Sequence, residues 1–299
     1  MTVLKRKGRR GQGMVALLFL LPLLLFYVIY YVYGFIFLAG VSTQRVSLTF
    51  VNAQLVGWSN YWLVLTDPLF QTSLLNTLLF AGISILAALT IGFFLAVLLA
   101  TGVRLRQVFY ALFLLPSLVP LSLFATVFGQ MLETQDGALN RLLGALGLGG
   151  LQQAWLSDTG PAYVAVAILL VYLIGLPIMF YTSDIPSTNL DLIEAALLDG
   201  ASVWQIFWLM LFPLLRNTHI TVILSVLLGS FRAFDVIYFS TGGQPGGRTS
   251  IVGTYIYNSA LGADRVGYAA AASVIVLVVA LSVSVIQMTI TRKAEKNAW

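Results

Sequence analysis

Few side chains in this chain can do covalent or acid–base chemistry. There is one histidine, His219, and no cysteine, which excludes a thiol nucleophile, a disulfide framework and any Cys or Cys/His zinc site. His219 stands beside Asn217 and Thr218 with no nucleophile motif to serve, so it reads as a polar residue at the start of a helix. Gly242, Gly247, Arg248 and Thr249 imitate the spacing of a phosphate-binding loop, with arginine where that loop has lysine. The motif requires a strand before it and a helix after it. Here an apolar run precedes it, and a Gly/Pro-rich turn is the better reading. No catalytic residue, cofactor site or metal site is expected, and nothing here is expected to hydrolyse ATP.

What remains is polar chemistry inside apolar surroundings. Of 299 residues, 59% are hydrophobic and only 9% charged, where soluble proteins carry about a quarter charged. A water-soluble globule is excluded. The net charge of +5 comes from residues scattered between apolar runs, not gathered on a basic face, so nucleic acid is not expected as a partner. Polar or ring-bearing residues within the runs are candidates for a solute pathway, because buried polarity in a membrane is costly. These are Asn76, Tyr172, Ser230, Phe231, Arg232, Asp235 and Tyr238. The plainer reading of each is structural. Arg232 and Asp235 are spaced i,i+3, so they are expected to pair on one helical face; Asn76 fits an interhelical hydrogen bond; the aromatic residues fit packing or an interfacial belt.

The elements that must position them follow from the charges. Uncharged stretches of 34, 36, 26, 25 and 26 residues lie in Arg10–Arg45, Asp67–Arg104, Arg106–Glu133, Asp158–Asp184 and Arg265–Arg292, each longer than the ~20 residues that cross a bilayer. A sixth runs from Asn217 to Ser240, interrupted only by Arg232 and Asp235. The expectation is an all-α integral membrane protein with six spans near 14–38, 73–100, 108–130, 162–183, 217–240 and 266–291. The 16 residues between Arg141 and Asp158 are too short and glycine-rich for a span and read as an interfacial loop. Six spans put both termini on one side. Eleven lysines and arginines fall there against four opposite (Arg45, Arg141, Arg248 and Arg265), which makes that side cytoplasmic. The first apolar run is too long for a signal-peptide core and reads as a retained anchor. The domain boundaries are then a basic cytoplasmic start (1–13), one six-span transmembrane domain (14–291) and a cytoplasmic tail (292–299), in a cell membrane.

The inner loop 184–216 reads as helix, break, helix. Asp191 opens LIEAALLD, Gly200 supplies a stop, Ser202 caps VWQIFWLM, and Pro213 interrupts it. Such a knob suits docking to a partner or lying on lipid; spacing alone leaves both open.

Glu194, Ala195, Ala196, Gly200 and Pro213 resemble the EAA loop, EAA-x3-G-x9-I-x-L-P, of binding-protein-dependent ABC transporter permeases. The string IEAALLDGASVWQIFWLMLFP is similar to the sugar-uptake branch, the maltose and glycerol-3-phosphate permease subunits. VGWSNYWLVLTDPLFQTSLLNTLLF, DGALNRLLGALGL, FDVIYFSTGGQPGGRTSIVGTYIY and GYAAAASVIVL extend the resemblance to roughly residues 50–290. Met210 and Phe212 stand where the pattern has Ile and Leu, and Gln244 replaces the third glycine of a common LTGGGP run. The first exchange is apolar for apolar; the second removes a glycine from an outer turn.

The resemblance implies a type I ABC importer permease working with a second homologous permease, an ATPase dimer that binds ATP and Mg, and an extracytoplasmic solute-binding protein. Glu194, Ala195, Ala196, Asp199, Gly200 and Pro213 would then couple to the ATPase. A stand-alone secondary transporter is the alternative, and a membrane hydrolase a distant third. Outer basic residues are balanced by Asp67, Glu133, Asp136, Asp158 and Asp264, a weak field that suits a neutral solute such as a sugar.

Overall fold

The computed structural model describes residues 8–101, 103–188 and 190–296; the basic residues Lys5, Arg6 and Lys7 lie outside them. Most of it is helix. Among the described residues, four helices are long and apolar enough to cross a membrane: Leu17–Ser42, Pro68–Ala100, Thr159–Ser187 and Val266–Thr289. They match the expected first, second, fourth and sixth spans.

The expected third and fifth spans are not continuous. Arg106–Leu118 and Leu121–Met131 meet at 98°. Pro120 forces Val119 into extended backbone (φ −79°, ψ 140°), as a residue before proline prefers. In place of one helix over 217–240, Arg216–Phe231 stops and Phe234–Ser240 begins after a break at Arg232 and Ala233. Arg232 N–H turns back to the Gly229 carbonyl at 2.9 Å, the tight turn that often closes a helix. The preceding helix, Val203–Leu214, meets Arg216–Phe231 at 71°. The fourth span breaks too, at Leu173–Ile174, because Pro177 has no N–H for the Leu173 carbonyl.

Among the described residues, four stretches are wound more loosely, as π-helix: Val28–Val32, Ala88–Gly92, Ile206–Leu211 and Asn258–Gly262. The third sits immediately before Pro213, where the chain must dispense with a backbone donor.

The chain divides into two compact units. In the smaller (1–64 and 259–275), a two-stranded antiparallel sheet pairs Gln44 with Leu55 and Arg45 with Gln54. Asn60 Nδ2 donates to the Ser42 and Gln44 carbonyls, both at 2.9 Å. Gly267 lies so near the Gln44 carbonyl that no Cβ fits. The larger unit (65–258 and 276–299) holds the main core, in which Phe93 packs against Tyr181, Phe207, Phe212 and His219. The 141–158 stretch opens with the end of the short helix Ala138–Ala145 and is mostly loop beyond it, as expected. Its anchor is buried Asn140, whose Oδ1 accepts from Trp155 Nε1 at 2.8 Å.

Candidate functional site

Three helix breaks converge on one cavity of about 260 Å³ in the larger unit. Ser117 and Leu121 come from either side of the third span's bend, Leu173 and Pro177 from the break in the fourth, and Ser230 and Ala233 from the break in the fifth. The walls are largely apolar. Ser84, Ser117 and Ser225 line it, and their hydroxyls make no hydrogen bond within the described protein. Broken helices are the places where backbone groups lose partners inside a membrane, and irregular backbone is tolerated there only in protein or beside a water-filled cavity. The arrangement offers neutral hydrogen-bonding groups in an uncharged wall, which suits a hydroxyl-bearing solute better than an ion. Its volume is below the ~300–1,000 Å³ of most complete ligand sites.

Of the seven sequence-predicted pathway residues, the cavity gathers only Ser230, whose Oγ donates to the Val226 carbonyl at 2.9 Å. Asn76 is buried and fully engaged: its Nδ2 donates to the Arg248 and Ser250 carbonyls and its Oδ1 accepts from Tyr163 OH at 2.6 Å. It holds the Gly/Pro-rich turn onto the second span. Tyr172 stacks on Phe124, centroids 5.5 Å apart, and Tyr238 packs on Phe234 and Tyr257. Phe231 lies outside the lining. Ser84, Ser117 and Ser225 were missed because hydroxyls are commonplace in membrane helices; Ser117 and Ser225 could have been found by their proximity to Pro120 and Gly229 at the breaks, whereas Ser84 carries no such signal.

The expected Arg232–Asp235 ion pair is corrected. Among the described residues the one side-chain ion pair joins Arg141 to Asp136 at 2.6 Å, on the surface. The break at Arg232 and Ala233 removes the continuous helix that i,i+3 pairing requires; Arg232 is exposed and Asp235 half-buried in the isolated chain. A double-mutant cycle with Arg232→Met and Asp235→Leu is therefore expected to be additive within about 0.5 kcal/mol in complex yield, as for independent sites. Stronger coupling would contradict this geometry.

The loop 184–216 is a compact knob. Helix Leu190–Leu198 ends where Gly200 takes φ +85°. Gly200 N–H bonds the Leu197 carbonyl at 3.1 Å and Ala201 N–H the Ala196 carbonyl at 2.9 Å, a Schellman closure. Ser202 then caps Val203–Gln205 in a capping box with Gln205. Ala196 packs on the core, while Ala195 and Asp199 are exposed. The side chain of Glu194 lies outside the described residues. Around the turn, Leu198 is 89% and Val203 78% exposed, an apolar surface left uncovered by the described residues.

The knob is stitched to the spans by buried polar contacts. Leu215 breaks the helix, which leaves the Phe212 carbonyl without its usual donor; His219 Nε2 supplies one at 2.8 Å. A carbonyl only accepts, so Nε2 carries the hydrogen, and in the neutral ring Nδ1 accepts from Tyr181 OH at 2.7 Å. Thr218 Oγ1 donates to Asp184 Oδ2 at 2.7 Å. Fourth span, knob and fifth span thus meet at one joint, and His219 is buried in it instead of lying at the interface.

The Gly242–Thr249 segment is a turn, as read: Gly242, Gly243, Gly246 and Gly247 all take positive φ. Gln244 fits within it, its Oε1 accepting from Gly246 N–H at 2.7 Å.

Residues 88–296 match the family described as binding-protein-dependent transport system inner membrane component. A probable ABC transporter permease of Bacillus subtilis (strain 168) is 32% identical over 91% of this chain and 94% of its own. The trehalose/maltose transport system permease of Thermococcus litoralis is 29% identical over 97% of both. A chain in the crystal structure of a bacterial alginate ABC transporter in complex with alginate pentasaccharide-bound periplasmic protein superimposes with a TM-score of 0.81, at 22% identity and 96% coverage of each chain.

Proposed function

This chain belongs to the family of binding-protein-dependent transport system inner membrane components, multi-pass membrane permeases of ABC importers, and on that premise we propose how it does its part. It forms, with a second related permease, the pathway for a sugar or related hydroxyl-rich solute delivered by an extracytoplasmic binding protein. Both termini and the knob face the cytoplasm, where an ATPase dimer binds ATP and Mg and performs the hydrolysis that this subunit does not. The transmembrane permease domain spans 14–291, between a basic start (1–13) and a tail (292–299).

The observation that carries this reading is the connection between the knob and the cavity. The exposed apolar surface around Gly200 is joined through Phe212, His219 and Tyr181 to the fourth and fifth spans, and these same spans break at the cavity wall. A push on the knob moves the elements that shape the cavity. Its sub-standard volume fits a site completed by the second permease. Glu194, Ala195, Ala196, Asp199, Gly200 and Pro213 are the coupling residues, and Ser84, Ser117, Ser225 and Ser230 the solute-facing ones. Asn76, Tyr172, Phe231, Arg232, Asp235 and Tyr238 surround or brace the pathway.

Gly200→Val tests the coupling in the assembled transporter. No atom lies within 4 Å of a Cβ at Gly200, so the cost is backbone strain at positive φ, about 1–2 kcal/mol for a residue with a Cβ. Insertion and assembly should persist while solute-stimulated ATPase activity and uptake fall about tenfold. Full coupling in this variant would overturn the assignment.

A further inference from the structure

A second cavity, of about 510 Å³, lies in the smaller unit, where the first membrane helix ends at Ser42 and the last begins at Val266. Arg45, Ser47, Asn52, Gln54, Arg265 and Tyr268 are among its lining residues. Neither guanidinium has an ion-pair partner among the described residues; Arg265 lies 4.1 Å above the Tyr268 ring, which fixes its place. Asp264, the one carboxylate there, has its Oδ1 engaged by the Leu48 N–H at 2.7 Å. Two arginines thus share an open polar cavity with a single, partly committed counter-charge. Its level along the membrane normal follows from the helices that end at it. Trp58 and Trp62, 77% and 70% exposed in the same unit, are the residues that settle at lipid headgroups.

We propose that this cavity binds a phosphodiester, the headgroup of an anionic phospholipid, between Arg45 and Arg265. Planar guanidinium groups are suited to phosphate oxygens, which they bind through paired N–H donors, and the amides of Asn52 and Gln54 offer donors to a glycerol or ester oxygen. Acyl chains would leave along the exposed apolar first helix. The inference rests on the two helices being spans, and its failure would leave the transport reading untouched.

The test uses the full chain in its assembled complex, in nanodiscs of phosphatidylcholine doped with phosphatidylglycerol, with retained lipid counted by native mass spectrometry. Wild type should retain phosphatidylglycerol preferentially, and the double variant Arg45→Gln/Arg265→Gln should lose that preference by about tenfold or more, as for lost charge-assisted hydrogen bonds. Arg45→Lys/Arg265→Lys should keep part of it, which separates loss of charge from misfolding. Competition by millimolar glycerol 3-phosphate would assign the phosphate chemistry to a soluble ester, and its failure to compete to the lipid. Undiminished retention in the glutamine variant overturns the proposal. So would retained lipid with a lost response to the binding protein, which would make the pair a protein contact.

Discussion

His219→Ala is expected to lower the stability of the chain by about 2–4 kcal/mol, since it strands both the Phe212 carbonyl and the Tyr181 hydroxyl and each buried polar group left unpaired costs about 1–3 kcal/mol. It also removes a ring packed against Phe93 and Phe212. The loss should exceed what one hydrogen bond between membrane helices is worth, about 0.6–2 kcal/mol, because three elements share the joint. Beyond stability, the knob would no longer be tied to the fifth span at Phe212. Uptake should therefore fall further than ATPase activity, leaving hydrolysis poorly coupled. Thermal unfolding in detergent measures the first effect and the ratio of uptake to hydrolysis the second. His219→Gln, whose amide can still donate to the carbonyl, should recover part of both. An alanine variant with wild-type melting and coupling would show that the joint carries no force.

Gly175→Ala should be comparably severe, for a steric reason. A Cβ there would overlap the Phe113 carbonyl and approach Ser117 Oγ within 2.8 Å, so the third and fourth spans must separate at the cavity wall. Forcing atoms into a packed helix contact costs about 1–3 kcal/mol, and the displacement falls where Ser117 and Pro177 line the cavity. Gly229→Ala is the matched comparison. It lines the same cavity, yet an added Cβ meets nothing within 4 Å; the methyl should leave melting unchanged and reduce uptake by narrowing the space. If both variants lowered stability equally and neither affected uptake, the cavity would have no part in transport.

The spans were legible because charge is expensive in lipid. The gaps between Asp67 and Arg104 or Arg265 and Arg292 announce helices without any knowledge of packing. The knob was legible for a different reason: Gly200 and Ser202 act through local backbone geometry, which neighbouring residues determine. The breaks were harder. Pro120 and Pro177 signal them, yet a proline is tolerated inside a membrane helix and need not end it. Whether Val119 straightens or bends by 98° depends on what packs against it. The break at Arg232 has no proline and was read through, and the supposed ion pair followed from that error. Asn76 was legible as a hydrogen-bonding residue between helices, and it does bond Tyr163 on the fourth span, but its other partners at Arg248 and Ser250 lie more than 170 residues away. His219 was passed over because spacing carries no information about an orphaned carbonyl seven residues earlier.

The loosely wound turn Ala88–Gly92 separates chain length from facing direction. Before it, Ser73, Asn76, Thr77, Phe80, Ala81, Ser84, Ala87 and Ala88 are buried in α-helical rhythm. That rhythm calls next for Ile91, which is 45% exposed; burial resumes one place late, at Gly92, Phe93, Ala96 and Leu99. One extra residue has been absorbed by the i→i+5 winding, and everything beyond it, Phe93 included, keeps its azimuth. The span can therefore gain or lose a single residue here without rotating its lipid-facing side, whereas the same change ten residues earlier would turn the rest of the helix by about 100°. A one-residue gap at this point between this chain and a related permease would then mark a change of winding and not a loop, and residues on either side of it would have to be compared by direction before they are compared by count.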